Sequence, residues 1–363
     1  MDIKNLKNSR VLVRVNYDIP TLESIDRIFD SKKTINILLK NNNCVILLSH
    51  WGRPDGNNIE LSLQKLVPVI ESILNKNIIF YNQYNNGFGS LKNKIERDNS
   101  EIYLLENTRF EEGEKSIEPS VRKKIASRYA QLADYFVDEA FAVSHRNEAT
   151  NTEIKDILDW DYGLSYKEEI VNLDRFKNSN KPISVIMGGA KLETKLDFVE
   201  KILHQCDQLF LGGQLCFPFV EAMSYIDKST PKIHNSKYDM NFVHKAKKIL
   251  QIYSNRIVLP VDFVYMKDFN QILAVDLGPA TIEKYKNKLV GSKAVFWNGP
   301  VGYYEKKPYD FGTQEIARII TSLQNCYKVN GGGDTVSSID KNILGKFDWV
   351  SMGGGATLDY LVK

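Results

Sequence analysis

Short apolar runs alternate with longer amphipathic segments along the whole chain. The runs are rich in β-branched and aromatic residues, whereas segments such as 27–40 and 63–74 repeat their apolar positions at helical spacing. This alternation is typical of βαβ units, in which helices connect parallel strands. Strands are predicted at 11–15, 45–49, 78–81, 102–105 and 135–138 in the first half, and at 183–187, 208–211, 257–259, 294–297, 327–329 and 349–351 in the second.

The two halves of this pattern are joined by one further amphipathic segment. Residues 164–176 place Leu164, Ile170 and Leu173 on one face, and a helix-breaking stretch that ends at Pro182 follows. A chain of 363 residues is longer than one hydrophobic core usually serves. We therefore predict an α/β protein with two Rossmann-like three-layer domains, each built on a mainly parallel sheet, joined by a helix and separated by a cleft. The predicted boundaries are 1–163, a joining helix at 164–178, 179–345, and a C-terminal hinge segment at 346–363 that could return toward the first domain.

The composition is that of an ordinary globular protein and excludes several other classes. Apolar residues make up 43% and charged residues 26%, and the net charge of +3 is too small to indicate nucleic acid or an anionic membrane as a partner. The longest charge-free apolar stretch, 209–220, is too short to cross a bilayer, and the N-terminus lacks signal-sequence character, so a cytoplasmic location is expected. Reduced, buried thiols are expected because no Cys-x-x-Cys spacing relates the four cysteines, Cys44, Cys206, Cys216 and Cys326.

In the first half of the chain, the predicted strands end at or just before cationic side chains. The carboxyl ends of parallel strands meet at one edge of a sheet, so these side chains should gather there and suit a small polyanion. For any single arginine, a solvated surface charge or an internal ion pair explains the sequence equally well, and His145 alone is more typical of a structural hydrogen bond. The candidates are Arg27, His50, Arg53, Arg109, His145 and Arg146.

In the second half, the corresponding runs end at glycines. Glycine-rich turns before helices suit a nucleotide, whose phosphates must approach backbone N–H groups closely, although tight helix packing alone also selects glycine. Gly189-Ala190-Lys191 lacks the spacing of a Walker A sequence, so a nucleotide site here would not be a P-loop. The turns lie at 188–189, 212–213, 299–302, 331–333 and 353–355.

Six segments carry a specific resemblance, and they occur in one order from about Arg10 to the C-terminus. They are Ser49-His50-Trp51-Gly52-Arg53-Pro54, Leu105-Glu106-Asn107-Thr108-Arg109-Phe110, Asp138-Glu139-Ala140-Phe141, Gly188-Gly189-Ala190-Lys191-Leu192-Glu193-Thr194-Lys195, Trp297-Asn298-Gly299-Pro300-Val301-Gly302 and Gly331-Gly332-Gly333-Asp334-Thr335. In these segments the chain resembles phosphoglycerate kinases.

The resemblance implies a glycolytic kinase that transfers a phosphoryl group reversibly and in line between 1,3-bisphosphoglycerate and MgADP, giving 3-phosphoglycerate and MgATP, with closure of the two domains. It assigns the first domain to the acid and the second to the nucleotide, and it implies a monomer with Mg²⁺ and ATP or ADP as its cofactors. The implied substrate-binding residues are Asn16, Asp18, Arg27, His50, Arg53, Arg109 and Arg146.

On the nucleotide side, the resemblance implies that Lys191 and Lys195 contact the phosphates and act in catalysis together with Arg27, and that Asp334 binds the metal. Two plainer alternatives remain at the level of sequence: the lysines could pair with Glu193 or Asp197, and Asp334 could cap a helix. The implied nucleotide-binding residues are Gly188, Gly189, Ala190, Lys191, Lys195, Gly212, Gly213, Asn298, Gly299, Glu305, Gly332, Gly333, Asp334 and Thr335.

The chain also departs from the family pattern at several points. Asn16 and Asp18 exchange the family's carboxylate and amide, and Glu148 stands where the family's His-Arg-Ala-His segment has its second histidine. Gln214 replaces a third glycine, the region 269–276 is short, and the family's C-terminal tail is not matched. These departures motivate two alternatives: a pseudo-enzyme that binds nucleotide or acid as a scaffold, and a kinase for another small phosphorylated carboxylic acid.

Overall fold

The computed structural model describes residues 2–19, 21, 25–97, 102–227, 239–268 and 271–363. The chain forms two compact units, Met1–Val171 and Asn172–Lys363. The division falls inside the helix Leu164–Lys177, in the segment predicted to join the two halves. Of the segment 346–363, predicted as a hinge, the strand Trp349–Ser351 and the helix Gly355–Val362 belong to the second unit. The functional domain boundaries stay a prediction.

The first unit is built on six parallel strands in the order β3-β4-β2-β1-β5-β6. Its strands are β1 (Arg10–Arg14), β2 (Cys44–Leu48), β3 (Ile79–Tyr81), β4 (Ile102–Leu105), β5 (Tyr135–Asp138) and β6 (Trp160–Tyr162). Its helices are α1 (Asp26–Lys40), α2 (Val67–Leu74), α3 (Gln83–Asn86), α4 (Phe88–Arg97) and α5 (Pro119–Ala130), and α6 (Leu164–Lys177) leads into the second unit.

Both faces of the first sheet are buried. Val11 and Val13 of β1 belong to the core on one face, and Leu12 between them belongs to the core on the other. Since successive side chains of a strand point to opposite faces, a strand buried on both sides must be apolar throughout. This requirement explains why the strands of the sequence are continuous apolar runs.

The second unit repeats this architecture with six parallel strands in the order β14-β13-β12-β7-β8-β9, and it adds an antiparallel hairpin of β10 and β11. Its strands are β7 (Ile183–Met187), β8 (Gln208–Leu211), β9 (Ile257–Val258), β10 (Phe263–Asp268), β11 (Gln271–Leu277), β12 (Ala294–Asn298), β13 (Tyr327–Gly331) and β14 (Trp349–Ser351). Its helices are α7 (Leu192–Ile202), α8 (Phe217–Ser224), α9 (Met240–Tyr253), α10 (Pro279–Leu289), α11 (Phe311–Ser322), α12 (Gly333–Ser338), α13 (Lys341–Leu344) and α14 (Gly355–Val362).

The predicted fold class is confirmed, because two open, parallel, six-stranded sheets are flanked by helices. Two features were not predicted. The edge strand β6 is half-buried and has Asp161 at its centre, and the β10–β11 hairpin lies outside both six-stranded sheets. All four cysteines are free thiols, as predicted. Within the described part of the chain, no helix combines the length and the apolar character that a membrane crossing requires.

Candidate active site

A buried polar network lies at the carboxyl ends of β1, β2, β4 and β5, and Arg14 is at its centre. The guanidinium of Arg14 is completely buried and donates to Thr150 Oγ1 (3.1 Å) and Glu148 Oε2 (3.3 Å). Its Nη2 also lies 2.9 Å from Nδ1 of His50. Sequence reasoning assigned no role to Arg14. The available signal was a cation at the end of an otherwise apolar, buried strand.

His50 follows β2 and is a neutral side chain inside this network. Burial lowers its pKa to about 4, an effect that the neighbouring Asp18 opposes. Because an arginine has no acceptor, Nδ1 of His50 must accept from Arg14, and Nε2 then carries the hydrogen. Nε2 lies 3.5 Å from Asp18 Oδ2, and it is buried with no hydrogen-bond partner among the described residues.

Asp18 connects His50 to the start of α1. Its carboxylate accepts from the N–H of Gly52 (2.8 Å), and Arg27 donates to its backbone carbonyl. Burial would raise the pKa of Asp18, but His50, the N–H of Gly52 and the charge of Arg27 together lower it below the usual range. Asp18 is therefore an anion at neutral pH.

Arg109, in the turn after β4, is held from two sides. It donates to the carbonyl of Gly52 (2.8 Å) and to Glu148 Oε1 (2.9 Å), and it is only 8% exposed. Arg146 is half-buried, and its Nη1 lies 4.0 Å from the same carboxylate oxygen. Burial and the nearby charges of Arg109 and Arg53 lower the pKa of Arg146, whereas Glu148 raises it. Such crowding of like charges is typical of a site that receives an anion.

The structure thus brings together five of the substrate-binding residues predicted from sequence: Asp18, Arg27, His50, Arg109 and Arg146. Arg53 is exposed and acts on Arg146 through its charge. Asn16 is half-buried just beyond β1, and no side-chain contact of Asn16 is described. His145 is exposed. Pro20, two residues after Asp18, lies outside the described residues.

In the second unit, the glycine turns pack against one another. The N–H groups of Gly188, Gly189 and Gly213 donate to the carbonyls of Asn298 (2.9 Å), Pro300 (2.8 Å) and Val301 (3.0 Å). The N–H groups of these glycines are therefore already used within the protein, which corrects the expectation that they are free to meet an anion. The helix α7 also begins three residues after Gly189, at Leu192, rather than at the glycines.

Steric crowding explains why these positions are glycine. Gly299 has a φ of +93°, and a Cβ there would collide with the carbonyl of Gly188. Gly332 has a φ of +98°, and its Cβ would lie 2.6 Å from Asn298 Nδ2. At Gly212, a Cβ would meet Val301 at the same short distance. Side chains are thus excluded by the close approach of neighbouring turns.

Lys195 places its ammonium group at these turns. Its Nζ donates to the carbonyl of Gly188 (2.5 Å), and burial lowers its pKa to about 8, with Asp334 opposing and Lys191 adding to the shift. Lys191 is the exposed N-cap residue of α7, and its carbonyl accepts from the N–H of Lys195 (3.3 Å), so the two lysines lie one turn apart. The alternative ion pairs are not formed among the described residues: Asp197 pairs with Lys245 instead.

Thr335 and Asn298 join the turn after β12 to the turn after β13. The hydroxyl of Thr335 accepts from the N–H of Gly299 (2.6 Å) and donates to the carbonyl of Gly331 (3.0 Å). The amide of Asn298 donates to the same carbonyl (2.7 Å). Both side chains therefore have a structural role that the sequence did not reveal.

Asp334 is exposed in the first turn of α12 and does not cap that helix, because Gly332 occupies the cap position. Burial raises the pKa of Tyr304, and the charges of Glu305 and Asp334 raise it further. Both carboxylates therefore act on this phenol. Glu305 itself is exposed, as are Ala190 and Gly333, and a Cβ at Gly333 would meet open space. The start of α12 is therefore accessible to a ligand.

The residues around Asp334 fit a magnesium ion that arrives with a nucleotide. Among the described residues, no group of three or more His, Cys, Asp and Glu side chains could hold a metal by itself. Mg²⁺ bound with a nucleotide needs only one or two carboxylates, because phosphate oxygens and waters complete its shell. One exposed carboxylate that neither caps a helix nor forms a described ion pair meets that need.

Comparison with known proteins gives a consistent result. The family model described as "Phosphoglycerate kinase" matches residues 1–362. The chain is 32% identical to the phosphoglycerate kinase of Thermosipho africanus, over 98% of this chain and 93% of the relative, and 31% identical to that of Thermus thermophilus, over 98% and 95%. The fold is similar to the solved structure of phosphoglycerate kinase from Coxiella burnetii, with a TM-score of 0.81 and 26% identity over 99% of this chain and 94% of that one.

Proposed function

Because the chain belongs to the phosphoglycerate kinase family, we propose that the network around Arg14 in the first unit and the glycine turns of the second unit are its two substrate sites. The protein is a glycolytic phosphotransferase with a carboxyl group as acceptor. It acts on 3-phosphoglycerate or 1,3-bisphosphoglycerate and on ATP or ADP with Mg²⁺. No finding favours the pseudo-enzyme alternative.

In the first unit, the residues at the strand ends bind the acid. Arg27 binds the carboxylate, and Arg53, Arg109 and Arg146 bind the phosphate through charge-assisted hydrogen bonds. His50 donates from Nε2, the buried nitrogen without a hydrogen-bond partner. Asn16 and Asp18 orient the acid through its hydroxyl group. The observation that carries this assignment is the convergence of Asp18, His50 and Arg109 on the network around Arg14 at the sheet edge.

In the second unit, Lys191, Lys195 and the open start of α12 bind the nucleotide phosphates. The glycines at 188–189, 212–213, 299 and 332–333 allow the turns to approach the ligand and one another. Glu305 binds the ribose. Magnesium neutralises phosphate charge when it is bound, and Asp334 is its protein ligand.

The acceptor is a carboxylate, which is ionised at neutral pH, so the reaction needs no catalytic base. Alignment of the substrates and neutralisation of the charge on the moving phosphoryl group must then supply the catalysis. We infer that Arg27 acts on that charge from the acid side and Lys195 from the nucleotide side. Transfer in line requires the acid and the nucleotide to meet, so we propose that closure of the two units brings them together and excludes water.

We further propose that the protein is a cytoplasmic monomer. The support for the location is membership of a glycolytic family, and the support for the monomer is the need of two substrate-carrying units to move freely. Size-exclusion chromatography with light scattering tests the monomer, with a mass near 41.5 kDa expected.

A coupled assay with MgATP and 3-phosphoglycerate tests the function. We expect turnover by the wild type and a loss of about a hundredfold or more in kcat for Lys195→Ala, the size seen when a preorganised charge stabiliser is removed. Lys201→Ala, which removes an exposed lysine from the same helix, serves as the control and should keep full activity. Nucleotide binding without turnover would instead identify a pseudo-enzyme, and turnover with only another phosphorylated acid would identify a different kinase.

A further inference from the structure

Glu148 is a carboxylate inside the predicted phosphate site, at the position where the family pattern has a histidine. Only 1% of the residue is exposed, and its two oxygens contact different arginines. Oε1 lies 2.9 Å from Arg109 Nη2, and Oε2 lies 3.3 Å from Arg14 Nη2. Arg146 Nη1 lies 4.0 Å from Oε1. The cluster of cations formed by Arg14, Arg109 and Arg146 therefore already contains an anion that belongs to the protein.

The charges of this cluster depend on Glu148. Burial would raise the pKa of Glu148, but nearby positive charges, above all that of Arg14, lower it to about 2, so the group is ionised. Glu114 reaches the cluster through Thr150, and burial raises its pKa to about 8, which favours its protonated form at pH 7. His50 is neutral as well. Glu148 is thus the ionised partner of the buried Arg14, and it shares Arg109 with any bound ligand.

Two opposing effects follow from this arrangement. Without ligand, Glu148 stabilises the fold, because its negative charge compensates the positive charge of Arg14, whose guanidinium is completely buried. With ligand, the same negative charge repels an incoming phosphate and competes with it for Arg109. We propose that Glu148 is a positioning residue that acts as an internal counter-ion and weakens the binding of the phosphorylated acid. The proposal rests on the proposed function in taking Arg109 and Arg146 to bind the phosphate of 3-phosphoglycerate.

The test is Glu148→Gln in the full-length protein, with inorganic phosphate as the first probe. Gln keeps the size and removes the charge. We expect the dissociation constant for phosphate, measured by calorimetry, to fall about tenfold, and the KM for 3-phosphoglycerate to fall with it, while kcat changes less than about threefold. In the absence of ligand, the melting temperature should fall.

A matched control separates this effect from a general loss of stability. Glu153 is a second buried glutamate of the first unit, and it pairs with the buried Arg122 (2.7 Å). Glu153→Gln should also lower the melting temperature but leave phosphate affinity unchanged. Glu148→Asp keeps the charge and should bind phosphate within about threefold of the wild type.

Two outcomes would overturn the proposal. In the first, Glu148→Gln binds phosphate no more tightly than the wild type does. In the second, Glu148→Asp gains as much phosphate affinity as Glu148→Gln, which would show that the shape of the side chain and not its charge matters. If Glu148→Gln does not fold, Glu148→His provides the same test, with tighter phosphate binding expected. Lack of wild-type turnover with 3-phosphoglycerate would refute the proposed function, whereas the phosphate measurements would still decide the role of Glu148.

Discussion

At the scale of single residues, burial decides which charge each candidate side chain carries. Burial lowers the pKa of His50 to about 4 and that of Lys195 to about 8. At pH 7 His50 is therefore a neutral hydrogen-bonding group, and Lys195 is a cation that deprotonates within the range of ordinary assays. The sequence identifies both residues, but it does not contain these charge states, because they arise from neighbours distant in the chain.

The pKa of Lys195 predicts a pH-dependent rate. Below about pH 8 the amine is charged, and above it the charge that the proposed function assigns to stabilising the phosphoryl group is lost. In the free enzyme, kcat/KM for MgATP should therefore fall about tenfold per pH unit above pH 8. Lys195→Arg, which stays charged, should keep whatever activity it has to higher pH. A kcat/KM for MgATP that stays constant from pH 7 to 10 in the wild type would contradict this prediction.

Asn330 in β13 gives a prediction about stability. Its side chain is completely buried, and within the part of the chain that the structure describes neither its oxygen nor its nitrogen has a hydrogen-bond partner. Burying an unpaired amide costs about 1–3 kcal/mol, so Asn330→Leu, which is similar in shape, should increase the free energy of unfolding by about that amount. Chemical denaturation measures the change. A decrease would indicate that a buried water or ligand satisfies the amide.

At the scale of elements, the N-terminus of α6 is held by side chains from elsewhere in the first unit. Glu139 accepts from the N–H groups of Ser165 (3.2 Å) and Tyr166 (3.4 Å) and from Thr34 Oγ1 (2.7 Å). Thr34 in turn accepts from the N–H of Leu164 (2.7 Å). These bonds satisfy N–H groups that a helix start leaves without partners, so they determine where α6 begins.

Removal of this cap should destabilise the first unit. Glu139→Ala leaves buried N–H groups unpaired and should lower the free energy of unfolding by about 1–3 kcal/mol. Glu168→Ala, on an exposed part of the same helix, removes a surface ion pair with Lys33 and should cost less than about 1 kcal/mol. Equal losses in the two variants would show that the contacts of Glu139 are not a cap in solution.

The elements themselves were predicted better than the contacts between them. Strands such as β5 and β8 match the predicted ranges because burial on both faces imposes continuous apolar runs. The edge strand β6 was not predicted because it lacks such a run. The β10–β11 hairpin does contain apolar runs, at 263–266 and 272–275, but the prediction did not assign them to strands. In the candidate site, the sequence located the cations but not the central place of Arg14, since a pairing such as Arg14 with Glu148 depends on the tertiary fold.

At the scale of the whole molecule, each unit has its own sheet, its own core and one set of candidate ligand contacts. This separation predicts two distinct patterns of protection in hydrogen exchange. 3-Phosphoglycerate should protect the strand ends at 14–18, 48–53 and 107–109, and MgADP should protect those at 187–195, 298–299 and 331–335. Protection of the same segments by each ligand when it is added alone would contradict the assignment of one substrate to each unit.

The hairpin of β10 and β11 is paired with neither six-stranded sheet. Its strands pair with each other, in a register that shifts between Val264 and Tyr265. Lengthening or shortening the hairpin therefore alters one antiparallel ladder and leaves the register of all twelve parallel strands untouched. A change in chain length between Asp268 and Gln271 should therefore cost little folding stability, and a peptide epitope can be grafted there. The other end of β11 is different, because Asp276 is buried and accepts from the N–H of Gly312.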